Sequence, residues 1–169
     1  MKSHEIEVKL EYKNKETILK KLKSLGAIFK EKYSLDDTYL GFSKSMSNKN
    51  KLVRVRKRDN FCELTFKGKA KDNSHIWKRI EINTEIKEPA KIIDILSNLG
   101  LTKIKENASK REIYMLGNLE IAFIDYDLPA KLSLIELEGE ENEINDLLNK
   151  LGNLAKKVGE DYFKSFDKK

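Results

Sequence analysis

Glu5-Ile6-Glu7-Val8-Lys9 alternates charge and hydrocarbon for five residues. In an extended strand Ile6 and Val8 project to one side, and Glu5, Glu7 and Lys9 to the other. The same period-two pattern recurs along the chain: Val53 and Val55 against Arg54, Arg56 and Arg58; Leu64 and Phe66 against Glu63, Thr65 and Lys67. It continues with Ile80 and Ile82 against Arg79, Glu81 and Asn83, and with Ile135 and Leu137 against Glu136 and Glu138. Alternation predicts strands over residues 4–12, 33–42, 52–59, 61–68, 76–85, 101–115, 118–125 and 132–139.

Helical spacing marks three further segments. Residues 15–25 carry Ile18, Leu19, Leu22 and Leu25, with Asn14 as N-cap and Gly26 as the stop. Residues 89–99 repeat that plan and close at Gly100; residues 141–151 repeat it and close at Gly152. A short terminal helix is expected over 159–166, and polar loops over 43–51 and 68–75. The first two helices each follow a charged strand and lead into a strand that reaches a tyrosine, Tyr39 or Tyr114, which implies two similar halves of one antiparallel structure.

The polar strand faces are dominated by charge. An open sheet with helices on one face and water on the other accounts for the alternation. A closed barrel accounts also for the sign pattern, because three arginines on one strand face need counter-charges, which curling would bring across from the acidic strands. Both architectures stay open on pattern alone. Inside a barrel, Arg and Lys would neutralise phosphate oxygens, and carboxylates would suit a hard divalent cation that also touches phosphate.

The 169 residues suit a single domain, 1–169, and 39% apolar with 37% charged residues describes a folded chain with both signs of charge. The formal net charge of +6 favours an anionic partner. The single cysteine, Cys62, forms no internal disulfide, and no Cys/His cluster points to zinc. No apolar run reaches membrane-spanning length and no signal-peptide core opens the chain, so a cytoplasmic location without membrane contact is expected. Nucleic acid is disfavoured because no platform of interleaved aromatics is visible.

The strand motifs, taken in order, resemble the CYTH superfamily, named for class IV adenylyl cyclases and thiamine triphosphatases and also called triphosphate tunnel metalloenzymes. Glu5-Ile6-Glu7-Val8-Lys9 matches its Glu-x-Glu-x-Lys pattern. Asp37-Thr38-Tyr39, Arg54-Val55-Arg56, Leu64-Thr65-Phe66-Lys67, Arg79-Ile80-Glu81, Lys110-Arg111-Glu112-Ile113-Tyr114 and Ile135-Glu136-Leu137-Glu138-Gly139 follow in family order. The resemblance implies an α+β fold: an eight-stranded antiparallel closed barrel with a charged interior and helices outside. It implies Mg²⁺- or Mn²⁺-dependent chemistry on a small-molecule triphosphate.

By that resemblance Lys9, Arg54, Arg56, Lys67, Arg79, Lys110 and Arg111 bind phosphate. Glu5, Glu7, Asp125, Glu136 and Glu138 are metal-side carboxylates, and Glu5, Glu7, Lys9 and Glu81 serve catalysis. Ser109 stands where the family usually has Lys, so Lys110 could substitute only through a register shift; Asp127 is the alternative to Asp125. The expected activity is hydrolysis of tripolyphosphate, a nucleoside triphosphate or thiamine triphosphate. Alternatives are a class IV adenylyl cyclase and a non-catalytic binder of polyphosphate or RNA ends. Leu132-Ser133-Leu134-Ile135 lacks the Gly and aromatic associated with cyclase-like members, which favours hydrolysis. The sequence leaves a homodimer open.

Overall fold

A computed structural model describes residues 2–42, 51–73, 75–159 and 162. Strand β1 (Lys2–Tyr12) leads through α1 (Lys15–Ser24) into β2 (Ile28–Gly41), β3 (Leu52–Arg58) and β4 (Phe61–Lys67). A short β5 (Lys71–Asn73) precedes β6 (Ile76–Glu85), α2 (Pro89–Asn98), β7 (Thr102–Leu116), β8 (Leu119–Leu128) and β9 (Leu132–Glu138). Helix α3 (Glu141–Leu151), a single 3₁₀ turn and β10 (Ala155–Lys157) follow.

Pairing runs β1–β9–β8–β7–β2–β3–β4–β6, and β6 returns to β1 from Lys2↔Ile82 to Val8↔Ile76. That last ladder closes an eight-stranded antiparallel barrel and decides between the two architectures the pattern allowed. The two expected halves are also present. Strand–helix–strand units β1–α1–β2 and β6–α2–β7 pair like with like, β1 with β6 and β2 with β7.

Most of the hydrophobic core lies outside the barrel wall; a small cluster of Ile113, Ala122 and Ile124 faces inward instead. Ile6, Val8, Leu10, Ile121, Phe123, Ile135 and Leu137 project outward and are covered by Ile18 and Leu22 of α1 and by Ile144, Leu147 and Leu151 of α3. Helix α2 covers a second, smaller cluster around Leu40, Val55 and Leu101 with Ile92, Ile93 and Leu96. Helix ends follow local chemistry: the Asn14 side chain accepts a hydrogen bond from the Thr17 amide at 2.9 Å, and Gly26 takes φ +92° after α1. Gly100 repeats that conformation after α2.

Three features depart from expectation. Strand β2 starts at Ile28, earlier than residue 33, because its first residues extend the antiparallel ladder with the end of β7 across a bulge between Phe29 and Glu31. The charged run Lys30-Glu31-Lys32 hides this, since a bulge breaks the period. Residues 71–73, expected as loop, pair with β6, and β10 pairs with β1. Both are three-residue polar strands recruited by hydrogen bonding, with no alternation to announce them. The expected loop over 43–51 and terminal helix over 159–166, like the Lys168-Lys169 tail, fall wholly or mostly outside the described residues. No helix among the described residues is long and apolar enough to cross a membrane.

Phe123 is 1% exposed and meets Tyr12 and Tyr114 edge-on, at centroid separations of 5.8 Å each. Phe123→Ala is expected to cost about 3–5 kcal/mol of stability, read as a lower urea midpoint at unchanged slope.

Candidate active site in the barrel lumen

Since the outward positions form the core, the opposite parity faces the lumen. That face carries Glu5, Glu7 and Lys9 on β1; Asp37 and Tyr39 on β2; Arg54 and Arg56 on β3; and Glu63, Thr65 and Lys67 on β4. Trp77, Arg79 and Glu81 on β6, Ser109 and Arg111 on β7, and Glu136 and Glu138 on β9 share it with Glu120, Ala122, Ile124 and Tyr126 on β8. Charged groups held this far from water must be paired. The Lys9 ammonium lies 2.5 Å from Glu136 and 3.1 Å from Glu7. Arg79 reaches Glu5 at 2.6 Å and Glu7 at 2.9 Å, while Lys67 contacts Glu5 at 3.3 Å and also Glu81. Arg111 donates to Glu136 at 3.0 Å. Arg56 makes a two-pronged contact with Asp37 at 2.7 and 2.8 Å, and Arg54 donates to Glu63 at 3.1 Å and Thr65 at 3.0 Å.

The electrostatics follow from burial and pairing. Burial works against a charged Lys9, yet Glu136 and Glu7 outweigh it and the ammonium is held protonated well above its ordinary range. Glu136 is pushed up by burial but held far below its ordinary value by Lys9 and Arg111. Lys67 behaves differently: burial and the nearby Arg54 lower it despite Glu5 and Glu81. The Glu138 carboxyl is pushed up to about 8, first by the surrounding wall and then by repulsion from Glu5, Glu136 and Glu7. Its side chain still meets solvent at the rim, so repulsion is the physically secure cause.

That repulsion has a geometric origin. Glu7, Glu138 and Glu120 stand directly opposite one another across β1, β9 and β8. Like charges opposed on one sheet face are destabilising unless a cation lies among them. Among the described residues no three His, Cys, Asp or Glu side chains converge on a single ion position. A Mg²⁺- or Mn²⁺-type ion needs only one or two carboxylates when phosphate and water supply the rest, and an all-oxygen set suits it. Glu7 and Glu138, with Glu5 and Glu136 nearby, therefore fit such an ion.

Two expected site residues are not brought in. Lys110 neighbours Arg111 and so faces outward; its side chain is 60% exposed and lies 3.8 Å from Asp127. Strand β7 stays in step with β2 through this stretch, so the register shift that would have turned Lys110 inward does not occur. Asp125 also faces outward, accepting a hydrogen bond from Ser133 at 2.6 Å. The irregularity sits opposite Asp127, between Ala108 and Ser109, and carries neither aspartate into the lumen.

Three further lumen residues were given no site role from sequence. Asp37, part of the Asp37-Thr38-Tyr39 motif, is 3% exposed between the arginines. Glu120 shares its face with Ala122 and Ile124, so no charge alternation marks β8. Trp77 is 1% exposed deep in the wall, with the Lys9 ammonium 5.7 Å from its ring centroid. Its parity with Arg79 and Glu81 was the available signal.

Burial pushes the Asp37 carboxyl up, but Arg56, with Arg54 and Arg111, holds it below its ordinary value overall. A depressed carboxylate stabilises the fold above its unfolded pKa and loses that contribution as pH falls through the folded value. Asp37→Asn is expected to cost about 3–5 kcal/mol at pH 7, as for a broken buried pair. The gap from wild type in urea unfolding should stay constant down to about pH 5 and shrink below about pH 4.

Comparison with known proteins agrees with this geometry. The CYTH domain model matches residues 3–168. The chain is 31% identical over 144 residues to "Putative adenylate cyclase MJ0240" of Methanocaldococcus jannaschii, covering 84% of this chain and 80% of that protein. Among solved structures, the PH1819 protein of Pyrococcus horikoshii OT3 superimposes with a TM-score of 0.63 at 28% identity over 87% of this chain and 85% of its own. PH1012 of the same organism gives 0.73 at 24% identity, covering 90% and 94%. The Hippeastrum protein "Putative adenylyl cyclase HpAC1" gives 0.70 at 16% identity, covering 96% and 95%. The chain belongs to the CYTH domain family.

Proposed function

We propose that this chain hydrolyses a triphosphate substrate held inside the barrel, in a reaction that depends on a divalent cation. The observation that carries the reading is a set of buried guanidinium donors without partners. Arg54 Nε and Arg111 Nε each lie buried with no hydrogen-bond acceptor among the described residues. A buried donor left unmade costs about 1–3 kcal/mol, and a phosphate chain offers the acceptors they lack. Arg54, Arg56 and Arg111 bind the phosphate oxygens, with Lys9, Lys67 and Arg79 exchanging carboxylate partners for phosphate.

CYTH triphosphate tunnel enzymes are divalent-metal dependent, and Glu5, Glu7, Glu136 and Glu138 are the residues that would hold the ion. When bound, Mg²⁺ or Mn²⁺ offsets charge developing on the phosphoryl and leaving oxygens. The chain's own groups do the rest. The arginines fix the phosphate chain along one side of the lumen, and the barrel wall limits bulk water. Glu81, held ionised by Lys67 against the effect of burial, is placed to orient the attacking water.

A second reading, cyclisation of ATP by its own 3′-hydroxyl with loss of pyrophosphate, is favoured by the name of the M. jannaschii relative. A triphosphatase activity is attributed to the Hippeastrum protein, which shares the fold. The lumen groups serve either reaction, and products distinguish them. Incubation with Mg²⁺ or Mn²⁺ and tripolyphosphate, ATP or thiamine triphosphate should release orthophosphate. Cyclic AMP with pyrophosphate would favour the cyclase, and absence of turnover with chelator-resistant binding would overturn both. Glu7→Gln should lower metal-dependent turnover at least about 100-fold, the order lost when one charge-stabilising group is removed.

A further inference from the structure

Most polar side chains that face the lumen are charged, but one part of the wall is neutral. On β7, Ser109 stands two residues before Arg111, pairs across to Tyr126 of β8 and Leu35 of β2, and is 3% exposed. Its hydroxyl is buried and has no hydrogen-bond partner among the described residues. Two residues further along the same face, Asn107 pairs with Asp37, and its amide oxygen is likewise buried without a partner. Tyr126 lies close enough to Lys9, Arg111 and Asp37 to feel their charges, and Tyr39 borders the same region beside Asp37 and Arg54. This neutral wall lies where β8 runs out opposite Ala108, and Asn107 reaches the arginine cluster across Asp37, which pairs with Arg56.

The two kinds of lining differ in what they can recognise. Arg and Lys side chains only donate, which matches phosphate oxygens that only accept. A serine hydroxyl and an asparagine amide each both donate and accept, and their complement is a group that does the same. The Ser109 hydroxyl can serve a phosphate oxygen or a hydroxyl, but the orphaned Asn107 amide oxygen only accepts and needs a donor, which a sugar hydroxyl supplies and an ionised phosphate oxygen does not. Burying two such groups without partners is costly in the empty protein, and a ligand hydroxyl reaching past the phosphate sites would relieve both.

We propose that Ser109 and Asn107, with Tyr126 beside them, form the subsite for the ribose hydroxyls of a nucleoside triphosphate, and thereby set the preference for that class over inorganic tripolyphosphate. The proposal rests on the triphosphate reading and deepens it. Neither residue touches the reacting phosphoryl group; both are specificity residues.

The test is calorimetric binding with Mg²⁺ present, using three ligands: the β,γ-imido analogue of ATP, its 2′,3′-dideoxy form and imidotriphosphate. Wild type should bind the ribose form about tenfold more tightly than the dideoxy form, the order of one or two good hydrogen bonds. In the Asn107→Ala/Ser109→Ala double variant that difference should vanish. Binding of imidotriphosphate reports whether the variant keeps its folded lumen, and it should weaken far less than binding of the ribose form. An undiminished ribose preference in the variant, an equal loss for both ligands, or no ribose preference in wild type would each overturn the subsite while leaving triphosphate binding intact. Failure of wild type to bind any of the three would overturn the triphosphate reading, and the subsite with it.

Discussion

The structure depends on one inversion: the strands turn hydrocarbon outward to the helices and charge inward to the lumen. Ile6, Val8 and Leu10 lie under α1 and α3, so Glu5, Glu7 and Lys9 have no choice of side. Buried ions are tolerable only when paired, and a flat sheet could not bring Glu5 and Glu7 to Arg79 and Lys67. The β6–β1 ladder does so, and removes two strand edges in the same step. Closure and charge pairing are one constraint seen from two sides.

The same constraint shapes the chemistry. Ion pairs in the lumen are not spare stability, since a buried pair returns little beyond its own desolvation cost. They keep a dense set of cations and anions in place without ligand and can be exchanged when phosphate arrives. The web is uneven. Glu136 is shared by Lys9 and Arg111 and Glu7 by Lys9 and Arg79, whereas Glu138 has no ion pair among the described residues and stands opposite Glu7 and Glu120. One stretch of the wall is thus short of cations, and another, around Arg54 and Arg111, is short of acceptors. On the proposed reading, a metal–triphosphate complex would answer both deficits at once. The neutral stretch formed by Ser109 and Asn107 has a different appetite, and it borders the arginines.

Much of this was legible in the sequence because a period of two is a rigid code. Parity alone groups Glu5, Glu7 and Lys9 with Arg54 and Arg56, Lys67, Arg79 and Glu81, Arg111, and Glu136 and Glu138. The code failed where its assumptions failed. Lys110 and Arg111 are neighbours, so only one could face inward without a register shift, and β7 keeps its step against β2. Asp125 looked suitable by type, but its parity opposes that of Glu120, Ala122 and Ile124 on the lumen face. Glu120 was hidden because β8 is apolar on both faces, and Asp37 because a pair of aspartates reads equally as a turn. Closure itself could not be read from any one strand. It depends on the pairing of β1 with β6, residues about seventy apart that carry no mark of each other beyond opposite charge.

The most direct test is a crystal structure of the protein with Mn²⁺ and a non-hydrolysable triphosphate, using anomalous scattering to locate the ion. The phosphate chain is expected inside the barrel against Arg54, Arg56 and Arg111, with manganese beside Glu7 and Glu138. A triphosphate bound on the lysine-rich outer surface, with the Arg79–Glu5 and Lys9–Glu136 pairs undisturbed and no ion in the lumen, would contradict the assignment of the barrel interior as the site.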